Sequence, residues 1–100
     1  MKPVVFHPHA AEELDDAMAY YESRRVGLGL SFQAEVEHVV HLIQQHPERW
    51  ATYNNTAFRQ CSINRFPFVI YYLEMDQYIW IAAVAHQKRK PGYWSPRGPS

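Results

Sequence analysis

The chain has 100 residues, of which 47% are apolar and 15% aromatic, so it has room for one hydrophobic core and little more. Ten basic residues balance ten acidic ones, which argues against a protein whose whole surface is built to bind nucleic acid. A single cysteine excludes a disulfide framework within the chain.

A short strand and a helix are predicted first. Residues 4–6 are β-branched and aromatic, and the run stops at Pro8, which is typical of a brief strand. Apolar side chains then recur at three- and four-residue spacing from Ala11 to Tyr21, which predicts an amphipathic helix. Acidic residues in its first two turns and Arg24 near its end match the helix dipole.

A second helix follows a break that contains glycine. Gly27 and Gly29 interrupt the first helical pattern, and Ser31 is the expected N-cap of the second helix. Pro47 ends this helix, because the residue before a proline is pushed out of the helical conformation. A break this short predicts that the two helices pair as an antiparallel hairpin. The apolar stripe of the second helix is predicted to comprise Phe32, Val36, Val39, Val40 and Ile43.

From residue 57 onward the pattern becomes extended. Residues 57–63 alternate weakly, whereas residues 66–74 and 78–86 are runs of aromatic and β-branched side chains joined by a short turn. The chain is therefore predicted to form an α+β domain of order β-α-α-β-β-β, with the helical hairpin packed on one face of a small antiparallel sheet. We expect this single domain to span residues 1–97, and residues 98–100 to form a loose tail.

Neither the histidines nor the cysteine has the spacing of a known site. His38 and His41 share one face of the second helix, but no HExxH or paired-cysteine pattern accompanies them, so we expect a solvated face and no metal. Cys61 lies in a predicted strand and is expected to be buried. A nucleophilic role would need His86 beside it, which requires their two strands to pair. No phosphate loop or dinucleotide fingerprint is present, so no cofactor is expected.

Basic and aromatic residues of the second half form the candidate site. Residues 51–100 carry a net charge of +4 and residues 1–50 a net charge of −4. Such side chains can grip phosphates and stack on bases, and they can equally anchor a protein interface. A solvated tail is the alternative, but Tyr93 and Trp94 are costly to leave in water and are expected to hold residues 86–97 on the domain. The candidate residues are Arg59, Arg65, His86, Lys88, Arg89, Lys90, Tyr93, Trp94 and Arg97.

Four stretches together follow a known pattern: FHPHAAEELDDAMAYYE, GLGLSFQAEVEHVVHLIQQHP, RFPFVIYYLE and IAAVAHQKRKPGYW. In order and spacing they resemble the RelE/ParE superfamily of toxins from bacterial type II toxin–antitoxin systems, over roughly residues 4–97. The ending, with His86, Arg89, Pro91, Tyr93 and Trp94, is closer to the ParE-like branch. The resemblance implies a helical hairpin on a curved antiparallel sheet, which agrees with the fold predicted from the residues.

The ParE-like branch implies a toxin of the plasmid stabilisation type, which arrests growth by binding DNA gyrase and is neutralised by a cognate antitoxin. On this interpretation the basic, aromatic C-terminal residues are a contact surface and no catalytic group is needed. We expect such a protein to be cytoplasmic, since no apolar stretch approaches the roughly 18 residues of a membrane span and the N-terminus lacks the apolar region of a signal peptide.

Two alternatives remain open. RelE-like members are ribosome-dependent mRNA endonucleases, and that resemblance would give catalytic roles to Arg65, His86, Arg89 and Tyr93. The middle strands carry no lysine, however, which departs from the nuclease branch. Gln60 follows Arg59 where many ParE relatives have a second arginine, which is a departure from the other branch. The second alternative is an inactive member that survives as an interaction module.

Overall fold

The computed structural model describes residues 1–99 and places six elements along the chain. In order they are β1 (Val4–Phe6), α1 (Pro8–Arg24), α2 (Leu28–Gln45), β2 (Arg59–Ser62), β3 (Phe68–Glu74) and β4 (Ile79–His86). This order confirms the predicted β-α-α-β-β-β plan and its helical hairpin. Within the predicted tail, residues 98–99 belong to no helix or strand, and Ser100 lies outside the described residues.

The strands form one sheet in the order β1-β4-β3-β2. As predicted, β3 pairs antiparallel with both β2 and β4. Strand β1 instead runs parallel to β4, with Val4 opposite Ile79 and Phe6 opposite Ile81, so the sheet is mixed. Parallel neighbours need a long crossover, and the chain between β1 and β4 contains both helices.

Helix α2 begins earlier than predicted. Its N-cap is Gly27, in the left-handed conformation at a φ of 87°, and Ser31 lies inside the helix. Gly29 does not break the helix but permits the hairpin to close, because a Cβ there would meet the Met18 carbonyl oxygen at 2.6 Å. The Glu22 carboxylate accepts hydrogen bonds from the backbone N–H groups of Gly27 and Gly29, at 2.9 and 3.0 Å. Side-chain acceptors from α1 thus replace the expected serine cap.

Both helices cover one face of the sheet. The predicted stripe of α2 is confirmed, since Phe32, Val36, Val39 and Ile43 are buried and Val40 packs against them. Full burial of one such side chain stabilises a fold by about 1.5–3 kcal/mol. The helices pack against Ile63 and Phe66 of the connection between β2 and β3 and against these residues of β3 and β4: Phe68, Ile70, Tyr72, Ile79, Ile81 and Val84.

A β-bulge in β4 changes which side chains face the helices. Tyr72 lies opposite Ile81 and Tyr71 lies opposite Ala83, so Ala82 is an extra residue in β4. Beyond the bulge, Val84 faces the helices and Ala83 faces the other side of the sheet. The bulge therefore places small side chains on the face away from the helices.

That second face carries a smaller apolar cluster. Trp94 is 1% exposed and packs there with Ala83 and Ala85. Three aromatic rings contact Trp94, those of Tyr53, Phe58 and Tyr71. We call these three residues and Trp94 the Trp94 cluster. The Trp94 cluster thus covers part of the sheet face opposite the helices. Across residues 1–99, neither helix combines the length and the apolar character that a bilayer crossing requires.

Candidate functional site

The candidate site is built on the C-terminal segment, residues 87–97, which follows β4 as a series of turns. Backbone hydrogen bonds close these turns, from Arg89 N–H to His86 oxygen at 3.0 Å and from Ser95 N–H to Gly92 oxygen at 2.9 Å. Gly92 has a φ of 75°, a left-handed conformation that favours glycine. The segment is thus an ordered continuation of the sheet.

Trp94 anchors the C-terminal segment to the sheet. Its ring stacks on Tyr71 at a centroid distance of 4.1 Å and meets Tyr53 and Phe58 edge-on at 5.0 and 4.8 Å. The expectation that an aromatic residue holds this segment on the domain is confirmed. Because Trp94 is 1% exposed, it supports the candidate surface from below and offers almost no area to a partner.

Glu13 of α1 makes the second attachment. Its carboxylate accepts a hydrogen bond from the Tyr93 hydroxyl at 2.5 Å and forms an ion pair with Arg97 Nη1 at 3.0 Å. The same Arg97 nitrogen donates to the Ala82 carbonyl oxygen at 3.2 Å. Arg97 and Glu13 are largely buried, with 14% of each side chain exposed. Arg97 is therefore committed to holding the segment in place.

Three exposed cations lie on the turn just after β4. Lys88, Arg89 and Lys90, which we call the cationic turn, are all exposed. The Arg89 guanidinium lies over the Tyr93 ring at 4.0 Å from its centroid, and the Arg97 guanidinium lies over the same ring at 5.1 Å. An aromatic ring between cations fixes their positions without neutralising their charge. The cationic turn is therefore both held and available to a partner.

His86 and Arg65 flank the cationic turn. The His86 ring packs edge-on against Phe68 at 5.1 Å, and its Nδ1 accepts a hydrogen bond from the Lys88 backbone N–H at 3.0 Å. Arg65 is exposed in the connection between β2 and β3, at a φ of 72°. A left-handed conformation costs a non-glycine residue about 1–2 kcal/mol. The Gln87 N–H donates to the Pro67 oxygen at 2.8 Å, which ties this connection to the C-terminal segment.

Arg59 does not join the other candidates. It begins β2 opposite Tyr72, whereas His86 is paired with Phe68 at the other end of β3. Its guanidinium donates to the Trp50 carbonyl oxygen at 2.6 Å, which attaches the loop after α2 to the sheet. The sequence grouped all of these cations, and the structure divides them into exposed residues and residues with structural partners.

A groove of about 520 Å³ lies beside the cationic turn, between α1 and the ends of β3 and β4. Its lining includes two acidic side chains of α1, Glu13 and Asp16, together with His86 and Arg89 at the end of β4 and just after it. Its floor is apolar, with Val84 and Phe68 among its residues. The groove thus offers charges of both signs around an apolar floor.

The sequence matches the family model of the ParE toxin of the type II toxin–antitoxin system, parDE, over residues 4–91. The chain belongs to the ParE toxin family. A solved structure described as the chromosomal ParDE TA system from P. aeruginosa shares the fold of this ParE-family chain, with a TM-score of 0.72 at 20% identity, over 86% of this chain and 96% of that one. No curated protein sequence matches the chain significantly.

Acid–base chemistry has little support in this ParE-family toxin. Burial, followed by the hydrogen bond to Glu13, raises the pKa of the Tyr93 hydroxyl, so it stays protonated at neutral pH. Burial raises the pKa of the Cys61 thiol to about 11, and β3 separates Cys61 from the strand of His86. The pairing that a Cys61–His86 nucleophile would need is therefore absent. His38 and His41 are exposed, and residues 1–99 contain no group of three or more His, Cys, Asp or Glu side chains placed to hold a metal ion.

Sequence reasoning missed Glu13 and the partners of Trp94. Glu13 is one of several acidic residues at the start of α1, and nothing local distinguishes it from Glu12. Tyr53 lies in the loop before β2, where the sequence shows no periodic pattern, and Phe58 lies in the weakly alternating residues 57–63. One signal was present: an aromatic residue buried by the C-terminal segment needs further apolar residues to pack against, and Tyr53 and Phe58 are large apolar residues that neither helix contains.

Proposed function

We propose that this ParE-family toxin arrests growth by binding a protein target through the cationic turn, and that the target is DNA gyrase. The observation that carries the proposal is the division of the C-terminal segment. Its cations Lys88, Arg89 and Lys90 are exposed, while Tyr93 and Trp94 beneath them are committed to the fold. A fixed, charged, solvent-facing turn suits recognition of an acidic or polar protein surface.

The RelE type of activity, cleavage of mRNA on the ribosome, has weaker support. It would use Tyr93 as an acid–base group, but the Tyr93 hydroxyl donates to Glu13 and its pKa is raised, first by burial. A general acid or base works best when its pKa lies near the working pH. His86 and Arg89 are the candidate residues that such a mechanism would still have, with Arg65 on the neighbouring connection.

A cognate antitoxin is the second partner in the proposal. The solved relative is described as a ParDE toxin–antitoxin system, and an antitoxin that covered the cationic turn would block the target surface. The groove beside the turn has an apolar floor and offers Arg89 and His86 to acidic side chains, which makes it a suitable place for an antitoxin segment. A single toxin domain over residues 1–97 and a cytoplasmic location complete the proposal.

The test separates the two activities on one preparation. The purified protein, freed of antitoxin, is added to a gyrase supercoiling reaction and to a translating extract whose mRNA is mapped by primer extension. We expect loss of supercoiling and intact mRNA. Cleavage at ribosomal A-site codons with supercoiling unchanged would show that the RelE type of activity is the correct one.

A matched pair of variants locates the surface. We expect Arg89→Ala to raise the concentration for half-inhibition about tenfold, as is common for an arginine at an interface centre. Its cation–π contact is exposed, so the free energy of unfolding should fall by no more than about 1 kcal/mol. Arg25→Ala removes an equally exposed guanidinium from the end of α1 and should leave inhibition unchanged. Equal inhibition by both variants would remove the cationic turn from the site.

A further inference from the structure

Strand β4 has a partner strand on its outer side for only part of its length. Strand β1 pairs with Ile79 to Ile81 and then turns away into α1. Beyond that point the buried backbone groups of Ala82 and Val84 meet side chains: Arg97 Nη1 donates to the Ala82 oxygen, and the Val84 N–H donates to Glu13 Oε1 at 3.0 Å. Two side chains thus replace the hydrogen bonds that a further strand would make.

Glu13 is the centre of this arrangement. Its Oε1 accepts from the Val84 N–H and from Arg97, and its Oε2 accepts from the Tyr93 hydroxyl. A carboxylate offers about four acceptor positions, so one side chain can serve all three donors. These donors come from β4 and from two positions of the C-terminal segment. Glu13 therefore joins α1, the sheet edge and that segment at a single point.

The connection continues from Glu13 to the exposed cations. Tyr93, held by Glu13 through its hydroxyl, carries the Arg89 guanidinium over its ring at 4.0 Å. Arg97, held by Glu13 through its ion pair, lies over the same ring. Loss of the Glu13 carboxylate would release the Tyr93 ring and the Arg97 guanidinium, while the Trp94 ring would stay packed on the sheet.

We propose that Glu13 is a positioning residue for the toxic surface, which holds Tyr93 and Arg97 so that the cationic turn keeps the geometry that its target recognises. The inference rests on the proposed function only in taking the cationic turn as the target-binding surface. Glu13 touches no target in this scheme and acts through Tyr93.

The test uses three variants at neighbouring positions of the full chain. Glu13→Ala removes every acceptor, and Glu13→Gln keeps the shape and one acceptor oxygen but loses the charge. Glu12→Ala is the matched control, because Glu12 is an exposed acid one residue away on the same helix. For each variant we would measure the concentration for half-inhibition of gyrase, growth arrest on induction, the thermal midpoint, and amide hydrogen exchange by NMR.

We expect the concentration for half-inhibition of gyrase to rise about tenfold in Glu13→Ala and about threefold in Glu13→Gln, and to stay unchanged in Glu12→Ala. This order follows the graded loss of hydrogen bonds to a charged group. The amides of Ser95 and Arg97, which close turns of the C-terminal segment, should exchange faster in Glu13→Ala. The amides of Val39 and Ile70 in the helix-covered core should exchange at the wild-type rate.

Two results would overturn the inference. Wild-type exchange at Ser95 and Arg97 in Glu13→Ala would mean that Glu13 does not hold the segment. Faster exchange there with undiminished growth arrest would mean that the geometry of the turn does not matter for toxicity. If the wild-type protein leaves gyrase untouched, the proposed target is wrong, whereas growth arrest and hydrogen exchange still decide the role of Glu13.

Discussion

The two faces of the sheet are covered in different ways. On one face, two long helices bury a continuous set of apolar side chains that includes Ala10 of α1, Phe32 of α2 and Ile70 of β3. On the other face, a turn-rich segment is held by one indole ring and one carboxylate, those of Trp94 and Glu13. The first cover depends on repeated apolar spacing, and the second depends on a few individual contacts.

Substitutions on the two faces are therefore expected to have different effects. Many side chains of the helix-covered face are buried, so substitutions there act on the whole fold. The exposed cations belong to the segment on the second face, where a change can alter the surface without unfolding the domain. The proposed target surface therefore lies on the segment that Trp94 and Glu13 attach to the sheet.

The largest effect on stability is expected at the centre of the helix-covered face. Phe32 is 0% exposed and meets the rings of Phe66 and Phe68 at 5.1 and 4.9 Å. We expect Phe32→Ala to lower the free energy of unfolding by about 4 kcal/mol, since both burial and packing are lost. Urea denaturation followed by circular dichroism measures this loss.

The control for Phe32→Ala is Val26→Ala, because Val26 is 91% exposed in the link between the helices. That variant should unfold within about 0.5 kcal/mol of the wild type. A loss below about 1 kcal/mol for Phe32→Ala would show that the helix-covered face is not the main source of stability.

A smaller loss is expected on the second face. We expect Trp94→Ala to cost about 3 kcal/mol, less than Phe32→Ala, because its neighbours Tyr53 and Tyr71 are only half-buried and can close over the gap. Because Trp94 is buried, we expect its removal to act on the fold and not on a contact with a partner. Denaturation of Trp94→Ala and Trp94→Phe measures the effect, and the phenylalanine variant should retain most of the stability.

Loss of toxicity in Trp94→Ala would therefore report lost packing, whereas loss of toxicity in Arg89→Ala would report a lost contact. If Trp94→Ala proved as stable as the wild type, the second cover would contribute nothing to the fold and the comparison between the two faces would fail. Equal losses for Trp94→Ala and Phe32→Ala would show that the two faces support the fold equally.

Most of the fold could be predicted from local patterns, because the helices have a regular apolar period and the last two strands are runs of aromatic and β-branched residues. The start of α2 could not, since Gly29 is needed for the close approach of Met18, a contact between helices that the sequence does not reveal. The parallel pairing of β1 with β4 joins residues over 70 positions apart, and no local signal encodes it.

The candidate site was predicted in part. Composition identified the basic, aromatic ending and predicted that an aromatic residue would pack. It could not tell Arg97, which pairs with Glu13, from Arg89, which remains exposed, because both are arginines near Tyr93. Only the bulge at Ala82 and the end of β1 create the open edge that Arg97 and Glu13 fill.

The smallest effect on stability is expected at the hydrogen bond between Tyr93 and Glu13. Tyr93→Phe keeps the ring under Arg89 but removes the hydroxyl that donates to Glu13. We expect a loss of about 1 kcal/mol in the free energy of unfolding, because one hydrogen bond is lost while the Glu13 carboxylate still accepts from Val84 and Arg97. Denaturation midpoints of Tyr93→Phe, Glu13→Gln and the double variant measure the loss and the coupling between the two residues.

The double variant should be less destabilised than the sum of the single variants, because each single change already removes or weakens the hydrogen bond that the two residues share. Strict additivity would mean that the hydroxyl and the carboxylate act independently, and Glu13 would then hold the segment through Arg97 and Val84 only. A sub-additive result combined with near wild-type growth arrest in Tyr93→Phe would assign the positioning of Arg89 to the aromatic ring, with the hydroxyl contributing to stability.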